Sequence, residues 1–338
     1  MSMLETIWKK GKDFLGVEYP IISGAMSWIS NYELCKAVSD GGAFPVLAGG
    51  NMPAELFEQE VDKCIAGIKR PFAVNLITIA PNYRAHLDIL EKKSAVKFVV
   101  FAGNFPKKDD VERMKASGKT ALSFASTESI ADQMIRFGVD ALILEGSEAG
   151  GHIGHVSLTV LLQQVLFKVG SVPIFVAGGI ATGKMMAHLL LMGAAGIQMG
   201  TRFVMTEECT AHPNFKKAFI KAPARAAIST PQYDSKLPVV AVRALKNKGM
   251  EEFGKLQLRL LKQLEAGEID RHTAQYEVES FWIGALRNAV IDGDVENGSM
   301  MAGQSVGLMD DVRPMRPMLQ EMVAEAESEL VKVKGLLG

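Results

Sequence analysis

Short apolar runs alternate with helical segments eight times in the first 204 residues of the chain. The apolar runs are centred near residues 22, 46, 74, 99, 122, 142, 175 and 198. The clearest helical segments between them span residues 53–67, 109–117, 127–137, 157–168 and 183–192. Such alternation favours a parallel sheet with crossover helices. Eight units that close on themselves form a TIM barrel, so we predict an α/β fold of the (β/α)8 class.

An open, doubly wound sheet is the competing architecture. No G-x-G-x-x-G motif follows the first apolar run, although this motif is typical of the dinucleotide-binding form of that sheet. The eight units are also nearly even in length and together occupy about 180 residues, which suits a closed barrel better. The barrel is therefore the preferred prediction.

The pattern changes beyond residue 204, where two long helices are predicted at residues 248–266 and 270–291. We predict that residues 1–204 and 300–338 together form the barrel. Residues 205–299 are predicted to be a mostly helical insertion, or lid, near the C-terminal face of the barrel. Because the strand-end loops of a TIM barrel meet at that face, the insertion would cover the barrel mouth.

The charge balance limits the classes of partner. The chain has 338 residues, a formal net charge of −1 and 48% hydrophobic residues. Without a basic excess we expect no nucleic-acid partner, because phosphates need cations to neutralise them. No apolar run reaches the roughly 18 residues that a membrane-spanning helix needs, and the N-terminus has no apolar signal region. We expect a cytoplasmic enzyme that acts on a small molecule.

Two groups of residues are more typical of packing than of chemistry. Cys35, Cys64 and Cys209 lie far apart and match no disulfide, metal-ligand or iron–sulfur spacing, so we predict three buried thiols and no metal site. Phe281 and Trp282 lie at helical spacing in the second long helix, which favours helix packing over a cofactor site.

The segment Glu145–Gly154 follows an apolar strand and surrounds His152 with glycines. Glycines let backbone amides approach a ligand closely, and a histidine can exchange a proton near neutral pH. A solvated histidine in a tight turn is the alternative interpretation. Since the loops that follow barrel strands carry the chemistry of this fold, we favour a catalytic His152. His212, in the insertion, is the chief rival.

Other strand ends carry groups that suit a phosphorylated heterocycle. Gly178 and Gly179 follow the seventh strand, and Gly200 and Thr201 follow the eighth, where backbone amides of this fold commonly hold a phosphate. Asn75 ends the third strand with a carboxamide that can bind the edge of a heterocycle, and Gln198 can do the same. The alternative for Asn75 is a loop-capping role. The alternative for Gln198 is an inward polar position inside the barrel.

Six stretches, in this order and spacing, carry a resemblance to a known family. They are Tyr19–Trp28, Pro71–Leu76, Glu145–Gly154, Ala177–Ile180, Gln198–Phe203, and Gly293–Ser299 with Met301–Gln304. The chain resembles the flavin-dependent nitronate monooxygenase (2-nitropropane dioxygenase) family, whose superfamily includes the FMN-dependent enoyl-acyl-carrier-protein reductase II. Ala25 departs from the glycine or proline common in that family, and Phe44-Pro45-Val46 departs from Gly-Leu-Gly.

The resemblance implies non-covalent FMN rather than FAD, for which no dinucleotide fingerprint is present. It places His152 beside the flavin as the catalytic residue. The implied cofactor contacts are Gly24, Ala25, Met26, Asn75, Glu145, Gly150, Gly151, Gly178, Gly179, Gln198, Gly200 and Thr201.

Three functions stay open. In the first, the enzyme oxidises alkyl nitronates or nitroalkanes with O2, and His152 is the general base. In the second, it is an NAD(P)H-dependent enoyl-acyl-carrier-protein reductase. An acyl carrier protein would then face Lys216, Lys217, Lys221 and Arg225, unless these form only a solvated helix face. The third, remote alternative is a non-catalytic flavin-binding protein. A homodimer is compatible with each.

Overall fold

Eight parallel strands form a closed barrel in the computed structural model, which describes residues 2–50, 52–237 and 240–337. Neighbours in the barrel follow one another along the chain, and β1 closes the ring by pairing with the last barrel strand. The strands are β1 (Ile21–Ser23), β2 (Phe44–Leu47), β3 (Ala73–Ile77), β4 (Phe98–Ala102), β5 (Thr120–Ala125), β6 (Ala141–Glu145), the two-residue β7 (Gly151–His152) outside the barrel, β8 (Ile174–Ala177) and β9 (Gly196–Met199). The predicted TIM barrel is confirmed.

A buried cluster inside the barrel closes its N-terminal end. Residues at the starts of several strands, including Phe44 and Phe98, belong to this cluster together with Phe175. The ring of Phe14 lies 6.0 Å from the rings of both Phe98 and Phe175, measured between centroids. Because apolar side chains fill this end of the barrel, space for a ligand remains at the opposite, C-terminal end.

Fourteen α-helices are described, and several begin at a side chain that caps them. Asn31, Thr127, Thr182 and Asn247 each accept a hydrogen bond from a backbone N–H in the first turn of the helix that follows. The helices are α1 (Met3–Ile7), α2 (Lys9–Leu15), α3 (Tyr32–Gly41), α4 (Ala54–Gly67), α5 (Tyr83–Lys92), α6 (Lys108–Ala116), α7 (Glu128–Arg136), α8 (Leu158–Leu161), α9 (Gly183–Leu191), α10 (Thr201–Val204), α11 (Pro213–Lys221), α12 (Lys248–Glu265), α13 (Arg271–Arg287) and α14 (Met315–Leu337).

The helical segment expected at residues 157–168 is irregular. Only α8 is α-helical, and a π-helix at Leu162–Leu166 continues it. A π-turn keeps the same apolar residues buried while it widens the helix, so apolar spacing alone does not reveal it.

Part of the region predicted as mostly helical is a small antiparallel sheet. Strands β10 (Ala227–Ser229) and β11 (Val242–Leu245) pair with each other, and β11 also pairs with β7. Val242 lies opposite His152 in this sheet. Strands of two to four residues carry too little alternation to be recognised in a sequence, which is why this sheet was not predicted.

Helices α12 and α13 pack around a small core that they share with Leu237 and with Val242 of β11. Phe253 of α12 contacts Trp282 of α13 with a centroid separation of 4.2 Å, and Leu260 and Val278 belong to the same buried cluster. The predicted packing role of Phe281 and Trp282 is confirmed, since Phe281 also lies 5.5 Å from Phe253. These two helices are the longest elements within the predicted insertion of residues 205–299.

The last helix returns to the barrel. Helix α14 packs against α9 and α3. At Gly183 of α9, a Cβ atom would lie 1.8 Å from the carbonyl oxygen of Met322, so glycine permits this close approach. The division into a barrel of residues 1–204 and 300–338 and an insertion stays a prediction, and residues 1 and 338 lie outside the described part. Among the described helices, none is both long and apolar enough to cross a membrane.

Candidate active site

The C-terminal end of the barrel opens into a cavity of about 400 Å³. The structure brings all of the predicted site residues together in the wall of this cavity, although their sequence positions span most of the barrel. They are Gly24, Ala25, Met26, Asn75, Glu145, Gly150, Gly151, His152, Gly178, Gly179, Gln198, Gly200 and Thr201. The shared location follows from the fold, because the ends of parallel barrel strands meet at one face.

Two carboxamides lie among the strand ends of the cavity. Asn75 is buried and donates one hydrogen bond from Nδ2 to the carbonyl oxygen of Val100 at 3.2 Å. Gln198 is also buried, and a Cβ on Gly24 would approach its Nε2 to 3.1 Å. Gly24 therefore leaves room for the Gln198 side chain. Carboxamides both donate and accept hydrogen bonds, as does the edge of an isoalloxazine ring, so these residues fit a flavin.

The glycines of the cavity fall into two groups. At Gly150 a Cβ would lie 2.4 Å from the backbone nitrogen of Gly303, so this glycine permits loop packing. At Gly179 and Gly200 the nearest described protein atom would be 3.5 Å away, and Gly179 has a positive φ of 71°. The second group leaves backbone close to open space, as a phosphate held by backbone amides requires.

Glu145 ends β6 and turns a carboxyl group to the cavity wall. Its burial raises the pKa to about 8. No described lysine or arginine forms an ion pair with it. A carboxylic acid in such surroundings remains largely protonated at neutral pH, so it can donate a hydrogen bond to a ligand and does not repel an anion.

His152 lies in β7, held by the pairing of that strand with β11. Its side chain is 28% exposed and lines the cavity. The Nε2 atom is buried without a hydrogen-bond partner among the described residues, and it lies 3.6 Å from Oε2 of Glu279 in α13. This distance is slightly too long for a hydrogen bond but suits an ion pair when the ring is protonated.

Helix α13 supplies one wall of the cavity that the sequence did not predict. Glu279, Trp282, Ile283 and Leu286 all line it. They follow the i, i+3, i+4, i+7 spacing of one helix face. A carboxylate within an otherwise apolar helix face was the available signal, because such a residue needs a partner when it is buried.

The cavity contains almost no positive charge. Among the described residues that line it there is no lysine or arginine, and the acids are Glu145 and Glu279. His152 is thus the only lining side chain that can become a cation. A phosphate in this cavity would depend on backbone amides and hydroxyl groups such as that of Thr201, and an anionic substrate would depend on His152.

The rival histidine has a structural role. His212 caps α11, where its Nδ1 accepts a hydrogen bond from the backbone N–H of Asn214 at 3.1 Å. It is absent from the lining of the cavity. Within the described part of the chain, no group of three or more His, Cys, Asp or Glu residues is arranged to hold a metal ion. Cys35, Cys64 and Cys209 are buried free thiols, as predicted.

Comparisons with known proteins agree with this geometry. The family model of nitronate monooxygenase matches residues 9–91 and 77–325. The (3aS,4S,5R,7aS)-5-hydroxy-7a-methyl-1-oxo-octahydro-1H-indene-4-carboxyl-CoA dehydrogenase of Mycobacterium tuberculosis is 26% identical, over 96% of this chain and 98% of that protein. A probable nitronate monooxygenase of Staphylococcus aureus is 26% identical, over 88% of this chain and 92% of that protein.

Solved structures share the whole fold. FabK from Thermotoga maritima superposes with a TM-score of 0.84 at 31% identity, over 96% of this chain and 98% of that one. The nitroalkane oxidase from Streptomyces ansochromogenes superposes with a TM-score of 0.79 at 24% identity, over 96% and 99% of the two chains. The second likeness supports the fold alone.

Proposed function

The chain belongs to the nitronate monooxygenase family of oxidoreductases, and on that premise we propose that it oxidises alkyl nitronates or nitroalkanes with O2, using FMN. The products would be a carbonyl compound and nitrite. One observation carries the proposal: His152 lines the same cavity as the residues expected to bind the flavin. As the only potential cation in that lining, His152 can serve either a neutral nitroalkane or an anionic nitronate.

FMN would be held by this chain's own residues in the following way. Backbone amides near Gly178–Gly179 and Gly200–Thr201 would bind the phosphate, while Asn75 and Gln198 would bind the ring edge. The remaining wall is formed by Gly24, Ala25, Met26, Gly150, Gly151 and Glu145. When bound, the flavin would accept electrons from the substrate and pass them to O2.

His152 would remove the proton from the carbon that bears the nitro group. The imidazole gains this proton, and the substrate becomes the nitronate anion, which the imidazolium then holds in place. A preformed nitronate has already lost the proton, so it needs His152 only for orientation. This difference between the two substrates separates a general base from a residue that only shapes the loop.

We expect the His152→Ala variant to keep FMN and fold. The loss in kcat/KM with neutral nitroalkane should be about 10²–10⁴-fold, the usual worth of a general base. The loss with preformed nitronate should be smaller. Steady-state assays with both substrates, alongside released flavin and Tm, make the comparison. Equal losses on both substrates with FMN retained would mean that His152 only orients the substrate. Full activity in the variant would exclude His152 from the mechanism.

A second experiment tests where the phosphate binds. Gly179→Val should lower FMN occupancy, because its side chain would occupy the space beside the backbone amides. Gly267→Val is the matched control: its φ of 70° equals that of Gly179 within a degree, no atom lies within 4 Å of its Cβ position, and it is outside the cavity. Flavin released on heating is measured in both variants. Equal occupancy in the two would place the phosphate elsewhere.

NAD(P)H-dependent reduction of an enoyl thioester is the second candidate. Two dehydrogenases with carboxyl-CoA substrates in their names, from Mycobacterium tuberculosis and Rhodococcus jostii, are each 26% identical to the chain. A thioester substrate is thus compatible with this cavity. Lys216 would contribute less to a carrier-protein surface than its sequence suggests, because its Nζ donates a hydrogen bond to the carbonyl oxygen of Thr206.

Anaerobic mixing distinguishes the two candidates. Under the leading proposal, nitronate bleaches the flavin absorbance of the loaded enzyme, and readmitted air restores it with release of nitrite. Under the second candidate, NADH or NADPH bleaches the flavin, and an enoyl thioester restores the absorbance without air. If neither nitronate nor NADH or NADPH bleaches the flavin, both proposed activities are excluded. If the chain binds no flavin, the proposed cofactor is excluded as well.

A further inference from the structure

One ring nitrogen of His152, Nε2, is covered by protein. Nε2 is buried, although the side chain as a whole is 28% exposed to the cavity. The exposed part of the ring therefore lies away from Nε2. If His152 removes a proton from a substrate in the cavity, the nitrogen that receives the proton is Nδ1.

The group opposite the buried nitrogen is a carboxylate. Oε2 of Glu279 lies 3.6 Å from Nε2, and the Glu279 side chain is only 12% exposed. Among the described residues no lysine or arginine lies within ion-pair distance of Glu279, whereas Glu277 on the same helix pairs with Arg259 at 3.1 Å. A carboxylate with so little exposure favours a nearby donor, and the His152 ring lies opposite it, slightly beyond hydrogen-bond length in this structure.

We propose that Glu279 is a positioning residue that fixes the proton of neutral His152 on Nε2. An ionised carboxylate only accepts hydrogen bonds, so the ring must present Nε2–H to it. The lone pair of Nδ1 is then available to the substrate. When Nδ1 takes the proton, the ring becomes an imidazolium and Glu279 stabilises its charge. The inference rests on the proposed role of His152 as the base.

The surroundings leave this pairing without a charged competitor at close range. Arg243, beside Gly151 in the small sheet, directs its guanidinium to the carbonyl oxygens of Ser147 and Ala227. On α12, the helix that packs against α13, Arg259 donates a hydrogen bond to Glu277. Glu145 is the other acid in the cavity wall, and its raised pKa keeps it mostly neutral at neutral pH.

The tautomer can be measured directly. Protein labelled with ¹⁵N-histidine gives ring signals for six histidines, and the signal lost in His152→Gln identifies residue 152. Long-range ¹⁵N–¹H correlation spectra, recorded at a pH where this ring is neutral, report which nitrogen carries the proton. We expect Nε2–H alone in the wild type. In Glu279→Gln we expect a mixture with Nδ1–H, because a carboxamide can donate to Nε2 as well as accept from it.

Kinetics supply a second, independent measurement. Glu279→Gln should lower kcat/KM with neutral nitroalkane about tenfold, because the imidazolium loses its partner. The value with preformed nitronate should fall less, because no proton has to be removed from that substrate. Glu279→Asp should keep the Nε2–H tautomer and restore part of the nitroalkane activity. Glu277→Gln, on the same helix but paired with Arg259, is the control and should match the wild type in both measurements.

Two results would overturn the proposal. One is an Nδ1–H tautomer in the wild-type protein. The other is an Nε2–H tautomer that stays unchanged in Glu279→Gln. Because the spectra are recorded without substrate, they decide the role of Glu279 even if nitroalkanes are not turned over, an outcome that would count against the proposed function alone.

Discussion

Glu145 shows how one side chain couples the site to the stability of the protein. Burial raises its pKa from the ordinary value of 4.5 to about 8, so the folded state favours the protonated carboxyl. The contribution of Glu145 to the free energy of unfolding is therefore fully present below about pH 4.5. It is lost as the pH rises through 8. Each unit of pKa difference corresponds to about 1.4 kcal/mol.

We expect Glu145→Gln to remove this dependence. In flavin-free protein, the free energy of unfolding of the wild type should fall between about pH 5 and pH 8 more steeply than that of the variant. Urea unfolding at several pH values measures the difference. Glu128→Gln, at a half-exposed residue paired with Lys168, is the control and should follow the wild type. Parallel curves for wild type and Glu145→Gln would contradict a buried, neutral carboxyl.

Some site residues could be predicted from the sequence and others could not. Asn75, Gln198 and the glycines were predictable because each follows an apolar strand, and the barrel brings strand ends together. Glu279 was not predictable in its role, because it reaches His152 from a helix that is distant in sequence. Helical periodicity places it on a face but cannot say which loop that face meets.

At the scale of elements, α12 and α13 pack around a small core that they share with Leu237 and with Val242 of β11. Phe253 is fully buried and contacts Trp282, and their cluster is separate from the clusters of the barrel. Elements with their own small core open more readily than the whole domain does. Because α13 also carries Glu279, opening of this unit would separate Glu279 from His152.

We expect Phe253→Ala to loosen this unit selectively. Removal of a buried aromatic ring costs about 3–5 kcal/mol, and the loss falls on contacts between α12 and α13. Hydrogen exchange should show lower protection in both helices, while the barrel strands keep theirs. Leu258→Ala changes a residue of α12 that is 48% exposed and should leave exchange unaltered. Uniform loss of protection across the chain would mean that the helices are an integral part of the barrel.

For the whole molecule, the barrel was predictable and the small sheet was not, for the same reason. Each strand–helix unit repeats a pattern long enough to recognise, from β3 with α5 to β8 with α9. The three strands β7, β10 and β11 are too short to carry a period, and β7 is distant in sequence from the two strands of its sheet. The break between α1 and α2 at Trp8 is likewise a local change within a continuous apolar pattern.

The position of α14 has a consequence for the growing chain on the ribosome. This helix fits so closely against α9 that only glycine is tolerated at Gly183, and its Leu319 lies against Gly41 of α3. Helix α9 is made well before α14, so the apolar surface that α3 and α9 offer to α14 stays uncovered while the residues between α9 and α14 are synthesised. A nascent chain that exposes such a surface can bind a chaperone. Once α14 is complete, it would cover the surface and displace the chaperone.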